Sequence, residues 1–257
     1  MEVSILGLGT VKLGRNIAVK YPQSFALPDD QQASELLALA RDRGINLIDT
    51  APAYGTSEVR LGQLLRGQRK HWLICTKVGE EFSNGLSSFN FSPEHTRFSI
   101  ERSLKRLNTD VLDIVLIHSD GNDVDIIKRF GTLDALAELK REGKLRAFGM
   151  STKTLAGGLL AARKADVVMI TWNLQYHEEI PVIDYCQEHG KGILIKKVLA
   201  SGHSTVASSS HKDTPNDPVK QCFDMVFNHP GVSSAIVGTI NPQHLLANIA
   251  ALQSQKT

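Results

Sequence analysis

The sequence predicts an α/β fold, a (β/α)8 TIM barrel, on three observations. Short runs rich in β-branched and apolar residues alternate with longer amphipathic stretches along the whole chain. The repeat is about 32 residues, the spacing of a closed eight-stranded barrel of about 250 residues. Strands joined by helical crossovers of this length must lie parallel. An open, doubly wound sheet would bury its strands on both faces as well, so periodicity alone leaves that arrangement open; the strand number favours the barrel. No linker or low-complexity block divides residues 1–257, which are expected to form a single domain.

In chain order, the strand-like runs are Val3–Gly9, Ile45–Thr50, Trp72–Val78, Val111–Ser119, Leu145–Ser151, Val167–Asn173, Gly192–Leu199 and Ser234–Thr239. The helical patterns between them are Asp30–Arg43, Ser57–Arg66, Ser92–Leu107, Asp125–Glu142, Thr154–Lys164, Glu179–His189, Pro218–Asn228 and Pro242–Leu252. Ser92-Pro93 and Asn241-Pro242 place a capping residue before proline at a first helical turn. Gly44, Gly143 and Gly190 each follow a helix, where a left-handed residue is wanted.

Composition excludes several classes of function. Lys and Arg number 29 against 27 Asp and Glu, a net charge of +2. These charges are dispersed, which gives no electrostatic case for nucleic acid or a membrane surface as partner. The apolar runs are too short to span a bilayer. Glu2 stands where a secretory signal would be basic, so the N-terminus reads as unprocessed. Cys75, Cys186 and Cys222 share no close spacing, which suits a reducing cytoplasm and neither a disulfide framework nor a zinc knuckle. His177-Glu178-Glu179 lacks a partner for a metal site, and Asp120, Asp123 and Asp125 lack the glycine and glutamate of a calcium loop. No metal is expected.

A barrel places its chemistry at the C-terminal strand ends and in the loops after them. The first strand ends in Gly7-Leu8-Gly9-Thr10-Val11-Lys12, which begins like a dinucleotide fingerprint. Lys12 replaces the third glycine and Arg15–Pro28 reads as a loop, so this is a strand end and not a Rossmann turn. The next three strands finish with Asp49, Lys77 and His118, and the loop after the first of them adds Tyr54. Side chains alternate along a strand, so Asp49 shares a face with Leu47, Lys77 with Cys75 and Leu73, and His118 with Leu116. If those apolar residues fill the barrel, the polar three point into its mouth. Each alone has a structural explanation; four at one rim point to catalysis.

These residues sit in Gly44-Ile45-Asn46-Leu47-Ile48-Asp49-Thr50-Ala51-Pro52-Ala53-Tyr54-Gly55, Thr76-Lys77 and Ile117-His118. Further matching segments are Gly149-Met150-Ser151, Asn173-Leu174-Gln175-Tyr176, Lys196–Gly202 and Val237–Pro242. In order and spacing the chain resembles an aldo-keto reductase, a short, bacterial-type member. The resemblance implies NAD(P)H-dependent reduction of an aldehyde, ketone or sugar-like carbonyl, or the reverse oxidation. It implies Tyr54 as proton donor, with Lys77, Asp49 and His118 as the other catalytic residues. Hydride reaching a carbonyl carbon leaves negative charge on oxygen, which needs a proton donor and nearby positive dipoles. Lys77 would make the Tyr54 phenol, ordinarily a weak acid with a pKa of about 10, easier to deprotonate. Asp49 would offset the burial of Lys77.

For the cofactor, the resemblance implies Ser151 as a carboxamide contact, Asn173 where many members have glutamine, and Lys196 where many have a tyrosine stacked on nicotinamide. Gly9, Thr10, Lys197, Leu199, Ser201, Gly238, Thr239 and Asn248 complete the expected set. His244 stands at the place of an arginine that reads a 2′-phosphate. Histidine lacks arginine's permanent charge and fork, yet NADP(H) is favoured over NAD(H). The chain ends soon after Leu252, without the C-terminal loop of longer members, which leaves specificity to Tyr21–Leu27 and Glu80–Phe91. The serine-rich Ser201–Pro215 reads as a loop that could cover the cofactor or simply be solvated. Two rival functions are a Schiff-base aldolase using Lys77 and a cofactor-binding sensor subunit.

Overall fold

The computed structural model describes residues 1–200 and 217–253. Eight strands, β1 (Leu6–Gly9), β2 (Leu47–Asp49), β3 (Leu73–Val78), β6 (Leu112–His118), β7 (Leu145–Ser151), β8 (Val167–Thr171), β9 (Gly192–Lys196) and β10 (Ser234–Val237), close into a parallel barrel. Its order is β1-β10-β9-β8-β7-β6-β3-β2. The remaining strands, β4 (Glu80–Ser83) and β5 (Leu86–Phe89), form a separate antiparallel hairpin. The helices are α1 (Val11–Gly14), α2 (Asp30–Asp42), α3 (Ser57–Leu64), α4 (Pro93–Leu107), α5 (Asp123–Arg129), α6 (Thr132–Arg141), α7 (Leu155–Lys164), α8 (Ile180–Glu188), α9 (Pro218–Phe227) and α10 (Pro242–Gln253).

Alternation along the strands sorts the core into two. Leu47, Cys75, Ile114, Leu116, Met169 and Leu194 pack inside the barrel. Ile48, Ile74, Val115, Ile117, Val168 and Ile193 face the other way and pack against Leu36, Ile100, Leu136 and Phe223 of the helices. The expected inward face of Asp49, Lys77 and His118 is therefore the face that fills the barrel. Gly149 lets β7 and β8 approach, since a Cβ there would lie 1.6 Å from the Val167 carbonyl oxygen. Ser92 Oγ accepts from the His95 amide at 3.2 Å, and Gly44, Gly143 and Gly190 all have positive φ, so these caps and stops follow the sequence.

The structure corrects four local expectations. The segment Glu80–Phe91, read as a loop, holds the β4–β5 hairpin; Asn84 and Gly85, with φ of 52° and 81°, make its two-residue turn. Such an Asn-Gly pair favours the turn type that matches strand twist. A single turn, α1, opens at Val11 after β1, though no dinucleotide fold follows it. The helix expected over Asp125–Glu142 is divided into α5 and α6 at Gly131, whose φ of 72° breaks the helical run. The strand expected to run to Leu199 stops at Lys196, because Lys197 turns to a φ of 56°. Ser201 and the Ser201–Pro215 segment lie outside the described residues. Among those described, no helix is long and apolar enough to cross a membrane.

Candidate active site

Register brings the polar strand ends to one level. Asp49 of β2 pairs with Gly9 on one side and Cys75 on the other, Lys77 pairs with Leu116, and His118 pairs with Ser151. Tyr54 comes from the turn after β2. Arg15 Nη1 donates to the Ala53 carbonyl at 3.0 Å, and Gly55, at a φ of 61°, passes so close to Gly14 that a Cβ would sit 2.2 Å from its carbonyl oxygen. Glycine at 55 thus lets the turn press against α1 and present Tyr54 inward.

Lys77, 1% exposed, donates to Asp49 Oδ1 at 2.6 Å and to the Thr50 carbonyl at 2.9 Å. Its ammonium lies 4.8 Å from the centre of the Tyr54 ring, and Tyr54 meets His118 edge-to-face at 6.2 Å. Burial is the largest single influence on Lys77 and would discharge it, but Asp49, through charge and hydrogen bond, together with Tyr54 and Cys75 outweighs it and raises the pKa. Tyr54 shows the reverse balance. Burial raises its pKa above the ordinary phenol value, and the opposing pull of Lys77 only moderates this. The expected ease of deprotonation is thus a partial effect, and the phenol keeps its proton.

His118 has a partner that sequence reasoning missed. Its Nδ1 lies 2.7 Å from Glu80 Oε2, off the line of a straight hydrogen bond. Burial lowers the His118 pKa, with Lys77 adding to the effect and Glu80 opposing it. Burial would raise the Glu80 carboxyl, yet His118, Ser87 and Arg15 together bring its pKa down to about 2. Glu80 follows Lys77-Val78-Gly79, two residues beyond the strand, where Gly79 at a φ of 101° turns the chain back toward the mouth. A glycine just past a catalytic strand end was the available signal.

These residues open into a cavity of about 590 Å³. Gly9, Ser151, Lys196, Lys197, Leu199, Gly238, Thr239, His244 and Asn248 line it with Asp49, Tyr54, Lys77 and His118. Thr10 and Asn173 do not. The Thr10 hydroxyl donates to the Asp49 carbonyl, tying the first strand end to the second. Asn173 donates to the Lys197 carbonyl at 3.1 Å and accepts from the Gln175 amide, so its amide braces the loop after β9. Lining residues absent from the expected site include Lys12, Arg15, Lys20, Tyr21 and Lys153. Lys12 sits 4.1 Å over the Tyr21 ring and Arg15 3.4 Å over Phe82. Tyr21 belongs to the Tyr21–Leu27 loop expected to carry specificity.

The cavity suits a dinucleotide in chemistry as well as size. Gly9 and Gly238 leave a smooth wall: a Cβ on Gly9 would lie 3.5 Å from the Gly238 Cα, and one on Gly238 would lie 3.1 Å from the Tyr21 hydroxyl. Among the described residues, Lys20, Lys153 and Lys197 pair with no carboxylate. Among the same residues, no group of three or more His, Cys, Asp and Glu side chains is arranged to hold a metal.

A closed βα barrel that gathers Asp49, Tyr54, Lys77 and His118 at one mouth has the proton donors and fixed charge that chemistry at a carbonyl or alcohol group needs. The aldo/keto reductase family profile matches residues 5–225, and the chain belongs to that family of oxidoreductases acting on carbonyl and alcohol groups. It is similar to the crystal structure of a proposed aldo-keto reductase from Pseudomonas aeruginosa, at 55% identity and a TM-score of 0.88, covering 99% of this chain and 91% of that one. The holo form of an aldo-keto reductase from Bacillus halodurans shares the fold at a TM-score of 0.80 and 22% identity, covering 98% of this chain and 87% of that chain. D-arabinose 1-dehydrogenase of Saccharomyces cerevisiae is 39% identical over 158 residues. That match spans 58% of this chain and 43% of the yeast protein, less than half its length.

Proposed function

We propose that this protein reduces small aldehydes, ketones or sugar-like carbonyls with NAD(P)H, or runs the reverse oxidation, with Tyr54 as the proton donor. The observation that carries this reading is the convergence of Tyr54, Lys77, Asp49 and His118 on one cavity from three neighbouring strands and one turn. A reduced nicotinamide, when bound, supplies the hydride. Tyr54 holds its proton and releases it as negative charge builds on the substrate oxygen nearby. Lys77 stabilises the phenolate left behind, and Asp49 keeps Lys77 charged and in place. Glu80 engages the Nδ1 side of His118; Nε2 of the neutral ring is then an acceptor, suited to an alcohol hydroxyl or a relayed proton. Lys77, held as an ammonium, makes a poor nucleophile, which counts against a Schiff-base aldolase at this position.

Ser151, Lys197, Thr239, His244 and Asn248 would hold the cofactor, and Lys20, Lys153 and Lys197 at the cavity suit its phosphates. NADP(H) is the favoured form, because surplus positive charge matters most to the more anionic dinucleotide. Similarity to the yeast D-arabinose 1-dehydrogenase supports a sugar-like carbonyl among the substrates. Cys75, Cys186 and Cys222 are buried and form no disulfide, in keeping with a cytoplasmic protein. The test is a panel of aldehydes, ketones and sugars incubated with protein and NADPH or NADH. Loss of reduced-cofactor absorbance with at least one carbonyl supports the reading; cofactor binding without turnover of any would favour a sensor.

A further inference from the structure

Lys196 ends β9 at the cavity wall, where it is half-buried and the opposite of the fully buried Lys77. Lys77 meets Asp49 at 2.6 Å. Lys196 Nζ instead donates to Ser151 Oγ at 2.8 Å and to the Thr152 carbonyl. Among the described residues, no carboxylate lies within ion-pair distance of it. Glu179 stands behind it but is already committed, accepting from the Thr171 amide at 3.0 Å and the Thr152 hydroxyl at 2.9 Å. Asp123 is likewise bound to Ser119, the Lys153 and Thr154 amides and the Thr154 hydroxyl. The other charged groups around Lys196 are the cations Lys153 and Lys197, with His118 across the mouth.

We propose that Lys196 makes the site discriminate between the two redox forms of nicotinamide. Its ammonium, half-buried beside Ser151 and without a carboxylate partner among the described residues, disfavours the positively charged oxidised ring and leaves the neutral reduced ring unaffected. This rests on the nicotinamide reading above and on Ser151 holding the carboxamide. Two like charges in a poorly solvated mouth repel far more than they do in water. The oxidised cofactor therefore leaves readily once a carbonyl has been reduced.

Burial, reinforced by Lys197 and Lys153 and opposed by Glu179 and Asp123, brings the Lys196 pKa down to about 7, so the device responds to ordinary changes of pH. Below that value Lys196 is charged, and binding the oxidised ring requires it to lose its proton; above it the proton is already gone. The ratio of the oxidised to the reduced dissociation constant should thus fall as pH rises through 7 and then level off, by up to about tenfold between pH 6 and pH 8. Taking the ratio cancels titration of a 2′-phosphate or of His244, which both redox forms share.

The experiment measures dissociation constants of NADP⁺ and NADPH, and of NAD⁺ and NADH, by calorimetry at pH 6, 7 and 8. It uses wild type, Lys196→Met, and Lys196→Gln, which keeps a donor toward Ser151. The expected result is a ratio that falls with pH in wild type and is flat and small in both variants. A pH-independent ratio in wild type, or the same pH dependence persisting in the variants, overturns the proposal. If wild type binds none of the four cofactors, the nicotinamide reading itself has failed, and the proposal falls with it. If one variant does not fold, the other supplies the comparison.

Discussion

Replacing Lys77 with methionine removes the ammonium while nearly preserving the volume of the side chain. The Lys77 and Asp49 side chains are only 2% and 6% exposed and meet at 2.6 Å. Lys77→Met leaves the Asp49 carboxylate buried without its cation and the Thr50 carbonyl without a donor. Breaking a buried pair from one side costs about 3–5 kcal/mol, because the remaining charge stays desolvated. For a chain of this size that corresponds to a fall of roughly 6–20 °C in thermal midpoint. Replacing both partners, as Asp49→Leu with Lys77→Met, removes the stranded charge and should recover most of the loss. The assay is thermal denaturation of wild type, both single variants and the double variant at pH 7. A Lys77→Met midpoint within about 2 °C of wild type, or a double variant no more stable than the single one, would refute the account of the pair.

Two further outcomes follow from the cavity. His244→Arg should raise the ratio of NADP(H) to NAD(H) affinity by adding a permanent charge and a bidentate fork; an unchanged ratio in a cofactor titration would remove His244 from the 2′-phosphate site. Glu80 has a pKa depressed to about 2 in the folded protein, below its unfolded value. Its stabilising contribution is therefore fully present above about pH 4.5 and is lost as pH falls toward 2. Urea unfolding at stepped pH should show Glu80→Gln losing less stability than wild type across that window, and parallel curves would contradict the depressed value.

The barrel and its catalytic strand ends were legible because alternation is a strong signal. Leu47, Cys75 and Leu116 occupy the inner core, so Asp49, Lys77 and His118 on the same faces had to point into the mouth. Short features were less legible. Four residues cannot display a helical stripe, which hid α1, and apolar positions such as Ile126, Leu133 and Leu136 run on through Gly131 and concealed the break between α5 and α6. The hairpin was signalled by Asn84-Gly85, but the polar residues around it gave no strand pattern. Thr10 and Asn173 occupy expected cofactor positions, yet their hydrogen bonds are made within the protein. The partnership of Glu80 with His118, and the absence among the described residues of a carboxylate at Lys196, depend on loops meeting in space, which spacing along the chain does not encode.

The central claim, that Tyr54 donates the proton, is tested most directly by single-turnover reduction of a carbonyl by pre-bound cofactor in wild type and Tyr54→Phe. The substitution removes one hydroxyl and keeps the ring, so its packing against His118 and cofactor affinity should be nearly unchanged. General acid catalysis contributes about 10²–10⁴-fold, or roughly 3–5 kcal/mol of barrier. The account predicts that the single-turnover rate falls by about that factor while cofactor dissociation constants stay put. Reduction by Tyr54→Phe at the wild-type rate would contradict it.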